Sequence, residues 1–403
     1  MAAGEWLGYM QGMINTTAAL AEFCERCAGH PYVTIDTEFL RERTYYSQLC
    51  LIQLAHPGEG EDTAKLIDPL SEDLDLAPLY ELFRNTDVTK VFHAARQDLE
   101  IFFVDKKVFP EPFFDTQVAA MVCGYGEQVG YETLVRKIAK GELDKSSRFT
   151  DWSRRPLTQR QQDYALADVT HLRQIYEYLD RRLQETDRRS WVEEELSVLT
   201  NPGTYIVDPD VVWKRVKTRN TSPKFLAIVR ELARFRENTA QSRNVPRNRI
   251  LKDDALIELA GLKPKSVQDL SSTRLLLRDA RKGEIAEGII ASVAKGLACD
   301  PKDFPRPAAQ SPRRQGSEGV SELLRVLLKA TSERSHVAQK LIATSADLDR
   351  LAAEDEPDIP AMHGWRYRLF GADAMRLKSG KVALAADGNG VALIEVGAAT
   401  PAS

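Results

Sequence analysis

Cysteine is scarce in this chain: five among 403 residues, at positions 24, 27, 50, 123 and 299. An odd, scattered set excludes a disulfide framework and favours a reducing compartment. Cys24 and Cys27 form one Cys-x-x-Cys, but no second pair lies near enough to complete a zinc site. Their setting, Ala-Leu-Ala-Glu-Phe-Cys-Glu-Arg-Cys-Ala, reads as an amphipathic helix in which the thiols pack. Apolar runs approaching the ~20 residues that cross a bilayer are missing. The start, Met-Ala-Ala-Gly-Glu-Trp-Leu-Gly-Tyr, lacks the basic beginning and apolar centre of a signal peptide. The expectation is a soluble, cytoplasmic protein with no membrane partner, and a monomer by default.

Net positive charge is missing too: 55 Lys+Arg stand against 59 Asp+Glu, a formal −4. Mapping that charge along the chain changes its meaning. Residues 213–302 hold 20 Lys+Arg and 10 Asp+Glu, net +10, which leaves −14 on the rest. A basic module of this kind suits phosphate, and an acidic body suits cations. The length allows two or three ordinary domains, and 43% hydrophobic residues suffice for real cores.

Acidic residues recur in three short blocks: Val33-Thr-Ile-Asp36-Thr-Glu38-Phe39, Val91-Phe-His93-Ala-Ala-Arg-Gln-Asp98 and Tyr164-Ala-Leu-Ala-Asp168. In the first, side chains two apart on a strand share a face, so Asp36 and Glu38 point the same way. At about 5 Å and an effective dielectric of about 20 their repulsion costs roughly 3 kcal/mol, which a divalent cation removes. A solvated turn would explain the pair equally well. In the second block Asp98 falls in the first turn of a helix that follows a strand-like run. The helix dipole favours an acid there with or without a function, and His93 reads equally as a core histidine. In the third, Tyr164 and Asp168 are four apart on one helical face, with Thr158 as the N-cap. A tyrosine at such a position is more commonly part of a core.

No block decides alone; their conjunction and order do more. Together with Asp36-Thr-Glu-Phe-Leu-Arg-Glu-Arg-Thr-Tyr-Tyr-Ser-Gln-Leu-Cys-Leu-Ile-Gln53, His93-Ala-Ala-Arg-Gln-Asp-Leu-Glu and Asp151-Trp-Ser-Arg-Arg-Pro-Leu-Thr, the sequence resembles the ribonuclease D family of 3′→5′ exonucleases. The resemblance is strong over residues 20–300 and weaker beyond, with no departure at the four acids or the tyrosine. It implies that Asp36, Glu38, Asp98 and Asp168 hold two Mg²⁺ or Mn²⁺ ions and that Tyr164 orients the attacking water. It also implies 5′-mononucleotide products. Thr37 and Phe39 are expected beneath the terminal nucleotide, with burial of Phe39 beneath the sheet an equal alternative to stacking on a base. Gln53, His93, Gln97 and Asp115 are expected along the cleft, and Arg148 and Trp152 as phosphate and base contacts. Asp68 is read as structural.

The chain divides at Asn201-Pro-Gly-Thr-Tyr with Asp208-Pro-Asp, and again at Asp303-Phe-Pro-Arg-Pro-Ala-Ala-Gln-Ser-Pro. Residues 1–205 mix strand-like and helical runs. They suit an α/β ribonuclease-H-like exonuclease domain, a mixed sheet flanked by helices, which the resemblance also implies. Residues 210–302 read as a basic helical module resembling the helicase-and-ribonuclease-D C-terminal domain. Phe225, Ile228, Val229, Leu232 and Phe235 form its apolar stripe, with Arg230, Arg234 and Arg236 mostly off it. Residues 316–403 read as a second small, mainly α-helical domain, also resembling the helicase-and-ribonuclease-D C-terminal domain and closing in a β-hairpin around Asp387-Gly-Asn-Gly390. The resulting expectation is an exoribonuclease acting on the 3′ ends of tRNA precursors and other structured RNAs. The alternatives are a DNA 3′→5′ exonuclease and a catalytically silent RNA-binding scaffold.

Overall fold

The computed structural model describes residues 13–144, 150–306 and 317–396. At its centre is a six-stranded mixed sheet in the order β1-β4-β3-β2-β5-β6, with β1 Met13–Ile14, β2 Tyr32–Leu40, β3 Gln48–Ala55, β4 Ala64–Ile67, β5 Thr89–Phe92 and β6 Phe113–Asp115. Strands β2, β3 and β4 run as an antiparallel meander, while β5 lies parallel to both β2 and β6. The meander follows from the short sequence distance between these apolar runs, because antiparallel partners need only a tight connection.

Alternation along β2 assigns its two faces. Val33 and Ile35 enter a core with helices α1 Thr17–Ala28, α2 Ala77–Arg84 and α3 Arg96–Lys106, where Cys24 and Cys27 are buried as free thiols. The opposite face is covered by α5 Gln159–Glu185, which packs across β2, β3 and β4, with α4 Thr116–Val122 and α6 Arg189–Leu199 beside it. Helix α5 begins as its sequence predicts: Thr158 accepts from Gln161 N and the Gln161 side chain returns to the cap, a reciprocal capping box.

The basic segment is built on α7 Pro223–Ser242, α8 Asp253–Leu262 and α9 Gly283–Leu297. Phe225, Ile228, Val229 and Leu232 are buried in its core, with Phe235 half-buried against it. Helices α7 and α9 approach closely: a Cβ on Gly288 would lie 2.1 Å from the Phe235 ring. Ser222 sits at the N-cap before Pro223, but its hydroxyl makes no capping bond. Several arginines of this segment serve the fold. Arg236 is 5% exposed and donates to Leu251 O and Asp253, while Arg230 and Arg234 both pair with Glu231.

A polar latch holds this segment to the β2–β3 connection. Asn244 Oδ1 accepts from the backbone N–H of Tyr45 at 3.1 Å and of Tyr46 at 2.9 Å. The Tyr45 hydroxyl donates to Glu237, whose buried carboxylate also takes Arg247 through Nε at 2.5 Å and Nη2 at 2.9 Å. The Arg247 guanidinium lies over the Tyr45 ring.

The C-terminal helices α10 Glu318–Ser335, α11 Ser345–Ala353 and α12 Ala372–Lys378 do not bury their apolar faces only among themselves. Leu324, Leu327, Leu341, Leu351 and Trp365 share one continuous core with Ala119, Leu172, Leu179, Val192 and Leu196 of the nuclease helices. Trp365 stacks on Trp191 with centroids 4.6 Å apart and rings 7° from parallel. The segment 336–344, with an apolar pattern long enough for a full helix, is helical only over Gln339–Ile342. The final hairpin, β7 Val382–Asp387 with β8 Gly390–Glu395, turns through Gly388 and Asn389 as expected.

Candidate active site

Each acid is placed by a different piece of local structure. Asp36 and Glu38 project from one face of β2, and a register shift after Glu38 ends regular pairing with β3 at that point. Such an irregularity re-aims side chains at the end of a strand. Asp98 lies in the first turn of α3, and Asp115 sets how α3 enters. The Asp115 carboxylate accepts from the N–H groups of Ala94 at 3.0 Å, Ala95 at 2.9 Å and Gln117 at 2.7 Å, and Ala94 adopts a left-handed φ of 58°. At 2% exposed, Asp115 is a support beneath the cleft and not part of its lining. Asp168 and Tyr164 stand one turn apart on α5.

These groups converge electrostatically. Burial and then the charge of Asp168 hold the Asp36 carboxyl well above the usual carboxylate range; burial and then the charge of Asp36 do the same to Asp98. Burial raises the Tyr164 phenol, with further contributions from Asp168, Glu38 and Asp36. Asp36 therefore feels the charge of Asp168 and acts on Asp98, and Glu38 is within electrostatic reach of Tyr164. Among the described residues, no three His, Cys, Asp or Glu meet on one point as a ready-made ion cage. The donor set fits a hard divalent cation nonetheless. It is all oxygen, four carboxylates with mutual repulsion that a cation would reverse.

Above the acids is a cavity of about 240 Å³, lined by Asp36, His93, Tyr131, Glu132, Tyr164 and Asp168 among others. The His93 ring packs 5.4 Å from Tyr131, with Nδ1 3.0 Å from the Thr116 hydroxyl, and burial lowers its pKa. Tyr131 has no counterpart in the motif reading. Its hydroxyl donates to the backbone carbonyls of Ala167 at 3.2 Å and Asp168 at 2.5 Å. The only sequence signal for it is the glycine spacing of the preceding segment, Gly124, Gly126 and Gly130, which marks a loop of the kind that carries function.

The remaining residues expected to touch substrate are placed less uniformly. Thr37 is buried on the other face of β2 and donates to Asp98, so it supports an acid and offers no group to a nucleotide. Gln53 pairs across from Asp36 but is 0% exposed, beneath the acids and outside the cavity. Trp152 is 2% exposed, packed with Leu51, Leu66 and Leu157, its ring 6.1 Å from Tyr164; it presents no face to a base and braces the tyrosine instead. Phe39 is half-buried and does not line the cavity. Gln97 is exposed and lines a separate cleft. Arg148 lies outside the described residues. Asp68 is structural, paired with Arg155 through two bonds of 2.7 Å.

A ribonuclease-H-like sheet with a carboxylate centre where its strands and α5 meet defines a nuclease of the 3′→5′ exonuclease class. A family model described as 3′-5′ exonuclease matches residues 11–184, and an HRDC domain model matches residues 225–292. The chain is 61% identical to a ribonuclease D of Jannaschia sp. (strain CCS1) over 387 residues, 96% of this chain and 100% of that protein. It is 49% identical to a ribonuclease D of Nitrobacter hamburgensis over 384 residues, 95% of this chain and 99% of the relative. The crystal structure of Escherichia coli RNase D, an exoribonuclease involved in structured RNA processing, matches with a TM-score of 0.78 at 29% identity, covering 91% of this chain and 98% of that one. The chain belongs to the ribonuclease D family: it is a 3′→5′ exoribonuclease, and the exonuclease fold of that family implies dependence on a divalent metal. Among the described residues, no helix is long and apolar enough to cross a membrane.

Proposed function

We propose that the chain trims the 3′ ends of structured RNAs, tRNA precursors among them, by hydrolysis at two divalent ions, Mg²⁺ or Mn²⁺, held by Asp36, Glu38, Asp98 and Asp168. The observation that carries this reading is that Asp36, Tyr164 and Asp168 line one cavity, with Asp98 in electrostatic reach of Asp36 and Glu38 of Tyr164, although they come from three distant sequence blocks. When bound, the ions supply Lewis-acid activation of water and neutralise charge on the scissile phosphate.

The chain's own residues orient and exclude. Tyr164 sits beside the acids with its phenol kept protonated by burial, so it serves as a hydrogen-bonding positioner of the attacking water and not as a base. Water oxygen bonds to phosphorus, the bond to the upstream 3′-oxygen breaks, that oxygen takes up a proton, and a 5′-mononucleotide leaves. Tyr131 holds the α5 backbone at Asp168, and Thr37 holds Asp98. The basic segment 213–302 adds phosphate contacts without reading bases, so binding weakens steeply with salt. The protein works as a monomer in the cytoplasm. The domain division proposed is 1–205, 210–302 and 316–403.

The test is release of 5′-mononucleotides from a 3′-extended tRNA transcript, with Mg²⁺ or Mn²⁺, against EDTA and against Asp36→Ala. Stepwise shortening that needs both metal and Asp36 is expected. Shortening that survives either EDTA or the substitution would remove the two-metal reading. A matched pair of single strands differing only in the 2′-hydroxyls is expected to favour RNA.

A further inference from the structure

A second cleft, larger than the one over the acids, opens where the nuclease body meets the basic segment. Its volume is about 760 Å³, and its lining includes Arg41, Thr44, Arg96, Gln97, Arg215 and Arg247. Four guanidiniums face one carboxylate there, that of Glu100, which is paired with Arg41 at 3.0 Å. Arg247 is already held by Glu237 and forms a fixed wall of the cleft together with Tyr45. Arg96 and Arg215 differ: both are exposed, and neither has a hydrogen-bond or ion-pair partner among the described residues. The Thr44 hydroxyl is shielded from solvent and likewise without a partner.

Three facts narrow the occupant. The body outside residues 213–302 carries net −14, so a polyanion is repelled by most of it. Arg41 and Arg96 come from that acidic body, and Arg215 from the basic segment, so two modules contribute cations to one concavity. Arg96 and Gln97 immediately precede Asp98 on α3, so the cleft lies at the back of the turn that carries a metal acid. Guanidinium forks without carboxylate partners fit phosphate oxygens best, and Gln97 and Asn248 add neutral donors. Two tyrosines line the cleft, but the Tyr45 ring is covered by the Arg247 guanidinium and Tyr205 is buried, which favours backbone contact over base reading.

We propose that this cleft is a phosphodiester-binding channel that holds the RNA strand upstream of the nucleotide being removed, with Arg96 and Arg215 as its specific phosphate contacts. The proposal rests on the exoribonuclease reading above. It makes the docking of the basic segment on Tyr45 a functional matter, because the channel exists only while both walls are in place.

The experiment compares the full-length protein with Arg96→Ala/Arg215→Ala, using binding of a long single-stranded RNA by fluorescence anisotropy in EDTA across a salt series. The expected result is a rise in Kd of about tenfold and a log–log salt slope shallower by about 1.4, two lost contacts at ~0.7 each for single strands. Arg96→Lys/Arg215→Lys is expected to regain most of the slope, since charge is kept. In turnover assays the double alanine variant should raise KM for long RNA far more than for a dinucleotide. An unchanged Kd and slope would overturn the proposal, as would an equal loss on long RNA and dinucleotide. If the wild type binds RNA with this arginine dependence yet releases no nucleotide, the cleft is a phosphodiester site but its place upstream of a removed nucleotide is overturned.

Discussion

Tyr131 donates its hydroxyl to the backbone carbonyl of Asp168 at 2.5 Å, 37 residues away in sequence. The bond ties the wall of the cavity to the helix that presents both Tyr164 and the last acid. Tyr131→Phe keeps the ring and its contact with His93 but removes this tie. The expected cost is ~1 kcal/mol of stability, a typical net value for one hydrogen bond. Turnover should fall several-fold while RNA affinity holds, because the loss concerns positioning at the reacting end. Steady-state kcat and anisotropy Kd check this together; a Kd that weakens in step with kcat would assign Tyr131 to substrate binding instead.

Asp36 and Asp98 are both held above the usual carboxylate range, first by burial and then by a neighbouring acid. A carboxyl with a folded pKa above its unfolded value opposes folding when charged, and the opposition vanishes as pH falls through the folded pKa. In EDTA at about pH 8, Asp98→Asn is therefore expected to melt above the wild type, with the gap closing on acidification. Excess Mg²⁺ should invert the order, since ligand at ~100 Kd adds ~2.7 kcal/mol to the state that binds it. Differential scanning calorimetry with and without metal reads both effects. A variant melting at or below the wild type in EDTA, at every pH, contradicts the repulsion argument.

The acids were legible because each obeys a short-range rule. Asp36 and Glu38 follow the period of two, Tyr164 and Asp168 the spacing of four, and Thr158 the N-cap preference. What surrounds them depends on contacts between distant segments, which spacing does not encode. Thr37 reads as a residue beside the acids in sequence, yet its hydroxyl turns to Asp98 on the far side of the strand. Trp152 sits in a polar stretch, and only the packing of α5 on β3 and β4 buries it. Arg236 reads as a solvated cation until Asp253 and Leu251 are placed beside it. Tyr131 lies on a helix of four residues, Tyr131–Leu134, too short for any periodicity to show.

The latch at Tyr45 predicts an asymmetry between its members. Arg247→Ala leaves the buried Glu237 carboxylate with only Tyr45 and Gln241 as donors. Removing one partner of a buried pair costs ~3–5 kcal/mol because a charge is stranded. Arg247→Ala/Glu237→Gln removes the stranded charge and is expected to recover a good part of that loss. Thermal melts of the two variants decide it. Equal destabilisation by the single and double changes would mean that the pair contributes through packing alone.

The C-terminal segment offers the sharpest structural test. An amphipathic helix shows the same apolar stripe whether it packs on its own neighbours or on another module, so Leu324 and Leu327 read as the core of a separate small domain. In the fold they belong to one continuous core with Leu172, Leu179, Val192 and Leu196 of α5 and α6. The docking is also polar: Arg366 pairs with Glu195 at 2.5 Å, Lys340 with Glu127 at 2.7 Å, and Ala338 N–H donates to Met121 O at 3.1 Å. Residues 121–131, held by these contacts, lead directly into Tyr131. Ending the chain at residue 306 would uncover several large apolar side chains, each worth ~1.5–3 kcal/mol when buried. The shortened protein is expected to aggregate or to melt well below the full chain. Any soluble fraction should lose turnover through Tyr131 even though every metal acid remains. A truncated protein that melts like the intact one, with unchanged kcat, would show that the shared core is dispensable and that residues 316–403 are an independent appendage.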